Sequence, residues 1–424
     1  MSIPISRLRL FVLATSALFV HSPLLCAEEH SPVSFSGSVD LFGSHYTVDR
    51  DSLFNPDNVI AQLPSQQYDL LLRPKLTIDL DKLKLWAGPR FSARTKRING
   101  EYRSDHSIYL QEAGALYTIN DHISLAVERN VMLWGPSLFS SPSNPFFSSS
   151  NQSNPFVELS PRDFARARYA PNDRWAVSAI SNMRLGRDTD EYADFSPITA
   201  VSVEYIGDMH SINLVAARRS GLIHSGLFAQ WTINDALLVY TDLGYRTRTD
   251  ARVPARNDST IGWAFSPRGN RDEFDGLVGA SYTTSRGDTL SVELRHNAQG
   301  LDNQEFDDLT RAATDALVAA ENPALVPDAA LLLGAAADLR TRSLRRNYLH
   351  AQYLVRELTP RLGINVLAVH NLDDRSTQWI GVANYYVTDE SRMSLNVVAN
   401  SGNRGTEFRR FFDLGLFMGY KYFF

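Results

Sequence analysis

The sequence predicts an all-β chain: a transmembrane antiparallel β-barrel of about eighteen strands, with long loops on one rim, one loop folded inward and a short helical loop insertion. Three observations predict it. Segments of roughly ten alternating apolar and polar residues recur from end to end, the length a tilted strand needs to cross a bilayer. Every second connection between them is a tight turn, and the intervening ones are mostly long. The last segment sets Phe412, Leu414, Leu416, Met418, Tyr420, Tyr422 and Phe424 on one face, a continuous apolar stripe with aromatics at interface height.

Taken in order, the chain opens with Arg7 and Arg9 ahead of an apolar stretch from Leu10 to Val20, and Ala27 precedes Glu28 and Glu29. Residues 1–27 are expected to be a secretory signal peptide cleaved after Ala27. The apolar stretch falls short of the about 20 residues a spanning helix needs. Cys26 is the only cysteine, and bulky Leu25 before it argues against a lipid-anchor site. The processed chain would therefore have no disulfide and no thiolate metal site. Loss of Arg7 and Arg9 leaves 40 basic against 47 acidic side chains, a net charge of −7, which argues against nucleic acid as a partner. A mean hydropathy of −0.22 resembles that of a water-soluble protein. A barrel reconciles the two, because only half of each strand faces lipid.

Residues 28–424 then read as a single barrel with strands at approximately 33–48, 66–80, 83–97, 106–119, 122–131, 162–171, 174–184, 198–207, 210–219, 224–233, 236–248, 276–284, 288–297, 344–357, 361–371, 377–387, 391–400 and 411–424. Tight turns fall at Asp81-Lys82, Asn120-Asp121, Asn172-Asp173, Gly207-Asp208, Asn234-Asp235, Arg286-Gly287, Thr359-Pro360 and Asp389-Glu390. Asn, Asp and Gly tolerate the left-handed backbone that short hairpins require. The long connections, notably 49–65, 132–161, 249–275 and 298–343, are expected on the extracellular side. Residues 304–321 and 327–340 are rich in Ala and Leu and have good helix propensity. Asn322-Pro323 separates them, so 298–343 reads as an extracellular loop carrying two short helices.

Alternation assigns the inner wall. In 236–248, Leu237, Val239, Leu243 and Tyr245 face out, leaving Tyr240, Asp242, Arg246 and Arg248 inside. The same rule turns Arg73, Lys75, Arg90, Arg94, Lys96, Arg166, Arg168, Arg219, Arg295, Arg346 and Arg356 inward, with Glu128 and Glu293 among them. Rings of Arg and Lys favour anions in a pore. Pairing of those residues with the acids would instead close the lumen as a polar core.

The residues around Glu128-Arg129-Asn130 end a strand in Trp134-Gly135-Pro136 and open a loop punctuated by Asn144-Pro145-Phe146 and Asn154-Pro155. Its density of aromatics and prolines predicts an ordered loop over 132–161 that folds into the lumen and constricts it. His45, His106, His122, His210, His224, His296, His350 and His370 lie on separate segments without a local Ser or Asp pattern, so no enzyme is expected. Nor is a cofactor or metal: there is no Gly-rich phosphate loop and no His-Glu-x-x-His.

The closing stripe and terminal Phe424 resemble the last strand of Gram-negative outer-membrane barrels. The resemblance implies the cell outer membrane as location, outer-membrane lipid as surroundings and the barrel-assembly machinery as a partner of that strand. The expected function is a porin-like channel for small polar or anionic solutes. Trp134-Gly135-Pro136 also resembles a segment of the Wzi capsule-assembly family. That likeness implies the alternative of a barrel whose outer loops bind capsular or exported polysaccharide.

Overall fold

The computed structural model describes residues 31–147, 158–184, 196–249, 251–269, 271–339 and 343–424; the expected signal peptide, 1–27, lies outside them. The wall begins with β1 (Val33–Val48), β2 (Gln66–Leu80), β3 (Leu83–Ile98), β4 (Glu101–Asn120), β5 (Ile123–Asn130), β6 (Arg162–Asn172), β7 (Trp175–Arg184), β8 (Ile198–Ile206) and β9 (His210–Arg219). It continues through β10 (Leu222–Asn234) and β11 (Leu237–Arg246), and a separate hairpin, β12 (Arg252–Arg256) with β13 (Trp263–Pro267), leaves the rim. The wall resumes with β14 (Glu273–Thr283), β15 (Thr289–His296), β16 (Asn347–Thr359), β17 (Leu362–Asn371), β18 (Thr377–Thr388), β19 (Ser391–Ser401) and β20 (Phe412–Phe423). Each wall strand pairs antiparallel with the next wall strand in the chain, and β1 pairs with β20, so eighteen strands close on themselves. Closure leaves no edge running the height of the wall, the condition for irregularity-free backbone in lipid.

The eighteen expected strands are those of the wall. Two details differ. β4 begins at Glu101 and not near 106, because Asn99 and Gly100 both take positive φ (48° and 90°) and form a two-residue hairpin turn with β3. The β12–β13 hairpin was not expected. Its strands are only five residues long, too short to show a period.

Side chains take turns as the period requires. Phe35, Tyr68, Ile108, Val127, Tyr169, Leu214, Trp231, Val278, Leu294, Trp379, Leu416 and Met418 all project outward and exposed. Such a belt in water would forfeit roughly 25 cal/mol for each Å² of apolar area, and it suits a hydrocarbon surround. The described residues include no helix long and apolar enough to cross a membrane. A bulge interrupts the alternation where Gly88 and Pro89 meet Glu112 and Leu110. Proline cannot donate to the ladder, and the skipped residue, Gln111, turns into the lumen beside Glu112.

A cap stands on the long-loop rim. It holds α1 (Asn303–Ala319) and α2 (Val326–Asp338), separated at Asn322-Pro323 as their sequence predicts. Asp302 and Glu305 form a capping box at the start of α1. Leu309, Ala312, Ala313 and Ala316 of α1 pack with Ala329, Leu332, Leu333 and Ala336 of α2, and Phe54, Trp263, Leu344 and Phe411 complete the cluster. Four separate connections thus share one apolar core. Two arginines tie it to the wall. Arg268 grips both Glu305 oxygens at 2.8 Å, and Arg346 reaches Asp302 and Glu305 at 3.0 and 3.3 Å. Glu407, also buried, accepts from Leu344 N, Tyr348 Oη and Asn371 Nδ2 at 2.7–2.8 Å. Burial pushes its pKa up, while burial pulls neighbouring Arg410 down to about 10.

Candidate functional site

After Asn130 the chain leaves the wall. Met132 and Trp134 pack with Phe146 and Phe147 against Phe164, Ile180, Ile198, Ala200 and Ala217 on β6 to β9. From there the loop turns at Gly135, whose φ of 90° favours glycine. It then reaches the facing wall. The Leu138 N–H donates to Glu293 Oε1 at 2.7 Å and Ser137 Oγ to Oε2 at 3.3 Å. Phe139 lies edge-on to His350, ring centroids 4.8 Å apart, next to a cluster of Leu367, Ile380, Val398 and Phe417. Asp242 then takes Ser141 Oγ at 2.8 Å and the Ser143 N–H at 2.6 Å. Beyond 147 the next described residue, Glu158, meets Arg73 (3.5 Å), Arg90 (3.2 Å) and Tyr109 (3.2 Å), and Leu159 O accepts from Gln111.

The loop therefore touches the inner wall from β2 round to β17 and beyond. Gly226 and Gly244 are paired on β10 and β11, and a Cβ on either would overlap the Ser143 or Pro142 carbonyl. That dent seats Ser141–Ser143. Paired inward glycines below two inward arginines were a legible signal for the docking place, but alternation alone does not interpret them.

The wall residues assigned to the lumen fall into five groups. Arg73 pairs with Asp40, Lys75 with Glu112, Arg90 with Glu112 and Glu158, Arg94 with Asp69, Arg166 with Glu128, and Arg168 with Glu204. Arg295 donates to Ser343 at 2.7 Å, and Arg346 belongs to the cap anchorage. Lys96 has no ion pair among the described residues; Arg356 sits exposed at the short-turn end of β16. Asp242 and Glu293 are wholly buried. Both serve as acceptors for the loop, because a buried carboxylate needs its donors close by. Asn154 and Pro155 of the expected constriction loop lie outside the described residues, whereas Trp134, Gly135, Pro136, Asn144, Pro145 and Phe146 are in the lumen segment described above.

Arg219 and Arg246 border a recess of about 230 Å³ on the long-loop side of the loop, floored by Asn144, Pro145 and Phe146. Arg162, Arg218, Arg248 and His224 also border it, and no carboxylate is among its described lining residues. Arg246 has Asp275 behind it at 3.2 Å, and the Arg162 guanidinium lies 4.9 Å from the Phe147 ring centroid. The described lining of the recess is strongly basic.

Among the described residues, one histidine–carboxylate contact of the kind catalysis uses is present: His350 Nδ1 to Glu293 Oε2, 3.1 Å. Phe139 and the loop seal both groups from solvent, so this pair braces the latch. No group of three or more potential metal ligands occurs among the described residues.

No protein-family model matches the chain, and no curated protein matches it. Solved barrels are similar to it at low identity. A crystal structure of Acinetobacter baumannii OccAB3 is 10% identical with a TM-score of 0.52, covering 92% of this chain and 99% of that one. A mutant of the Rhodopseudomonas blastica porin is 12% identical with a TM-score of 0.45, covering 92% of this chain and 100% of that one. The likeness to OccAB3 speaks for the fold. The resemblance of Trp134-Gly135-Pro136 to the Wzi family finds no support in these comparisons.

Proposed function

We propose that this chain is a passive, porin-like channel of the Gram-negative outer membrane that admits small anionic solutes. In this reading residues 1–27 are removed on export, the terminal strand engages the barrel-assembly machinery, and the long loops face outward. The observation that carries it is the recess bordered by five arginines and, among the described residues, no carboxylate, set directly on a loop latched across the lumen. Most inward arginines outside the recess have a carboxylate partner, as Arg246 within it has in Asp275, and the recess differs in how many guanidiniums gather at one place. Selection then belongs to the recess, and the loop sets the aperture.

Purified protein in planar bilayers under a salt gradient tests the reading. Steady conductance with a reversal potential on the anion side is expected. Cation preference overturns it. So does a silent protein that retains polysaccharide, the behaviour of a surface anchor.

A further inference from the structure

On the outside of the wall, toward the long-loop rim, a groove of about 830 Å³ crosses β20, β1, β2, β3 and β4. The pairing register fixes its layout. One row of outward residues is Tyr420, Leu41, Leu70, Ala93 and His106; the next is Met418, Gly43, Tyr68, Thr95 and Ser104. A Cβ on Gly43 would stand 3.3 Å from the Tyr68 ring, so Tyr68 leans toward β1 and away from β3. That leaves a low floor at Ala93, Thr95 and Ser104, whose side chains are short.

The row nearer the rim is His45, Gln66, Arg97 and Tyr102. By alternation the outward residues of β1 to β4 include no Asp, Glu or Lys. Their basic groups are Arg97, His45 and His106, all in the half nearer the long-loop rim, and both histidines are exposed. The Arg97 guanidinium lies over the Tyr102 ring, 5.7 Å from its centroid, and has no carboxylate partner among the described residues. Apolar contact alone does not select an occupant here, because lipid tails are as apolar as the side chains they meet. The head has to do so. An unpaired guanidinium at the rim suits a phosphate, and the Gln66 amide and Tyr102 hydroxyl beside it suit a sugar. A second copy placed face to face would bring the same basic groups together with no acid to pair them.

We propose that the groove seats one phosphorylated glycolipid of the outer leaflet, of the lipopolysaccharide type, with an acyl chain over Ala93 and Thr95 and a phosphate on Arg97. The inference takes from the proposed function only the outer membrane and the outward long loops, and is independent of what the channel conducts.

The test titrates the barrel, refolded free of lipid into detergent micelles, with phosphorylated lipid A and with the same lipid A dephosphorylated. Native mass spectrometry counts the bound lipid. The phosphorylated form should bind one per barrel, at about tenfold lower concentration than the other, the effect of a hydrogen bond to a charged group. Arg97→Gln should remove that difference, and Ala93→Phe should weaken both forms alike. Equal binding of the two forms to the parent protein overturns the proposal. So does a phosphate preference that survives Arg97→Gln, or phosphatidylglycerol bound as tightly as lipid A. A dimer dispersed by Ala93→Phe would assign the groove to a second copy and overturn it too. Asn403→Cys, on the long-loop rim, should react with a membrane-impermeant maleimide in intact cells; no reaction overturns the outward orientation and this proposal with it. Lipid counts do not depend on current, so loss of anion preference in bilayers overturns the channel reading alone.

Discussion

The inward loop and the helical cap leave the same rim of the barrel, yet different forces hold them. Where it crosses the lumen, between its apolar contacts at either end, the loop hangs on two buried carboxylates, Asp242 and Glu293, which between them accept two backbone N–H groups and two serine hydroxyls. The cap is held from within by a core of Leu and Ala side chains, with charged groups at its margin. Hydrogen bonds to a carboxylate are directional, so they fix where the loop crosses to within a bond length. Apolar burial is non-directional and tolerates exchange of similar volumes. A constriction needs the first kind of hold; a cover needs only the second. His350 and Tyr240 complete Glu293 from the wall side at 3.1 and 3.0 Å, so that acceptor has wall partners besides the loop.

The contrast is most directly broken at the latch. Asp242→Ala with Glu293→Ala removes charged acceptors worth about 1.5–3 kcal/mol per bond. The loop should then detach while the barrel stays closed. Fast hydrogen exchange at Leu138 and Ser143, together with larger single-channel conductance, is the expected result; an unchanged conductance would place the crossing segment off the path. Deletion of 137–158 should raise conductance further.

In the cap, Leu309→Ala empties the centre of an apolar core and should cost about 2–5 kcal/mol there. Protease should cut α1 and α2 in that variant while bilayer conductance keeps its selectivity. Coupled loss of both would show that cap and constriction form one unit.

A smaller effect separates the two by pH. Burial raises the Glu407 pKa, so the folded cap holds that proton more tightly than an opened cap does. Cap stability should accordingly fall as pH climbs from the ordinary carboxylate value through the raised one. Asp373 shifts the other way: burial opposes it, but bonds from Asn347 and the Arg346 N–H hold its pKa low. Its contribution is lost only on acidification below the ordinary range, outside that window. Intrinsic-rate-corrected hydrogen exchange of α1 should be slower at mildly acidic than at neutral pH, and Glu407→Gln should abolish the difference.

The least change is expected from Arg90→Gln, Arg94→Gln and Arg166→Gln combined. Each is paired with a carboxylate, Glu158, Asp69 and Glu128 respectively, and none borders the recess. Reversal potential should move less than in Arg219→Gln with Arg248→Gln, the recess pair. The opposite order would relocate selection to the paired wall.

Much of the wall was readable before any coordinates. β1, β2 and β9 have the expected limits, since alternation and Asn/Asp turns are written within ten or so consecutive residues. The bulge at Gly88-Pro89 was the exception, where one skipped residue turns Gln111 inward and no local pattern announces it. The site was less legible. Its makers are far apart in the chain: Ser141 and Asp242, Leu138 and Glu293, Glu158 and Arg90. Inward charge was readable; which charges neutralise one another was not.

The amino-acid order by itself determined a closed wall of eighteen strands, its outward apolar face, its short and long rims and a loop with the rigidity to enter the lumen. Only the tertiary structure decided that Asp242 and Glu293 hold that loop, that four connections share one apolar cap, and that five arginines gather around one recess above the crossing. Strand period and turn chemistry are properties of neighbouring residues, whereas a buried charge acquires its role from whichever group closure of the barrel brings within about 3 Å.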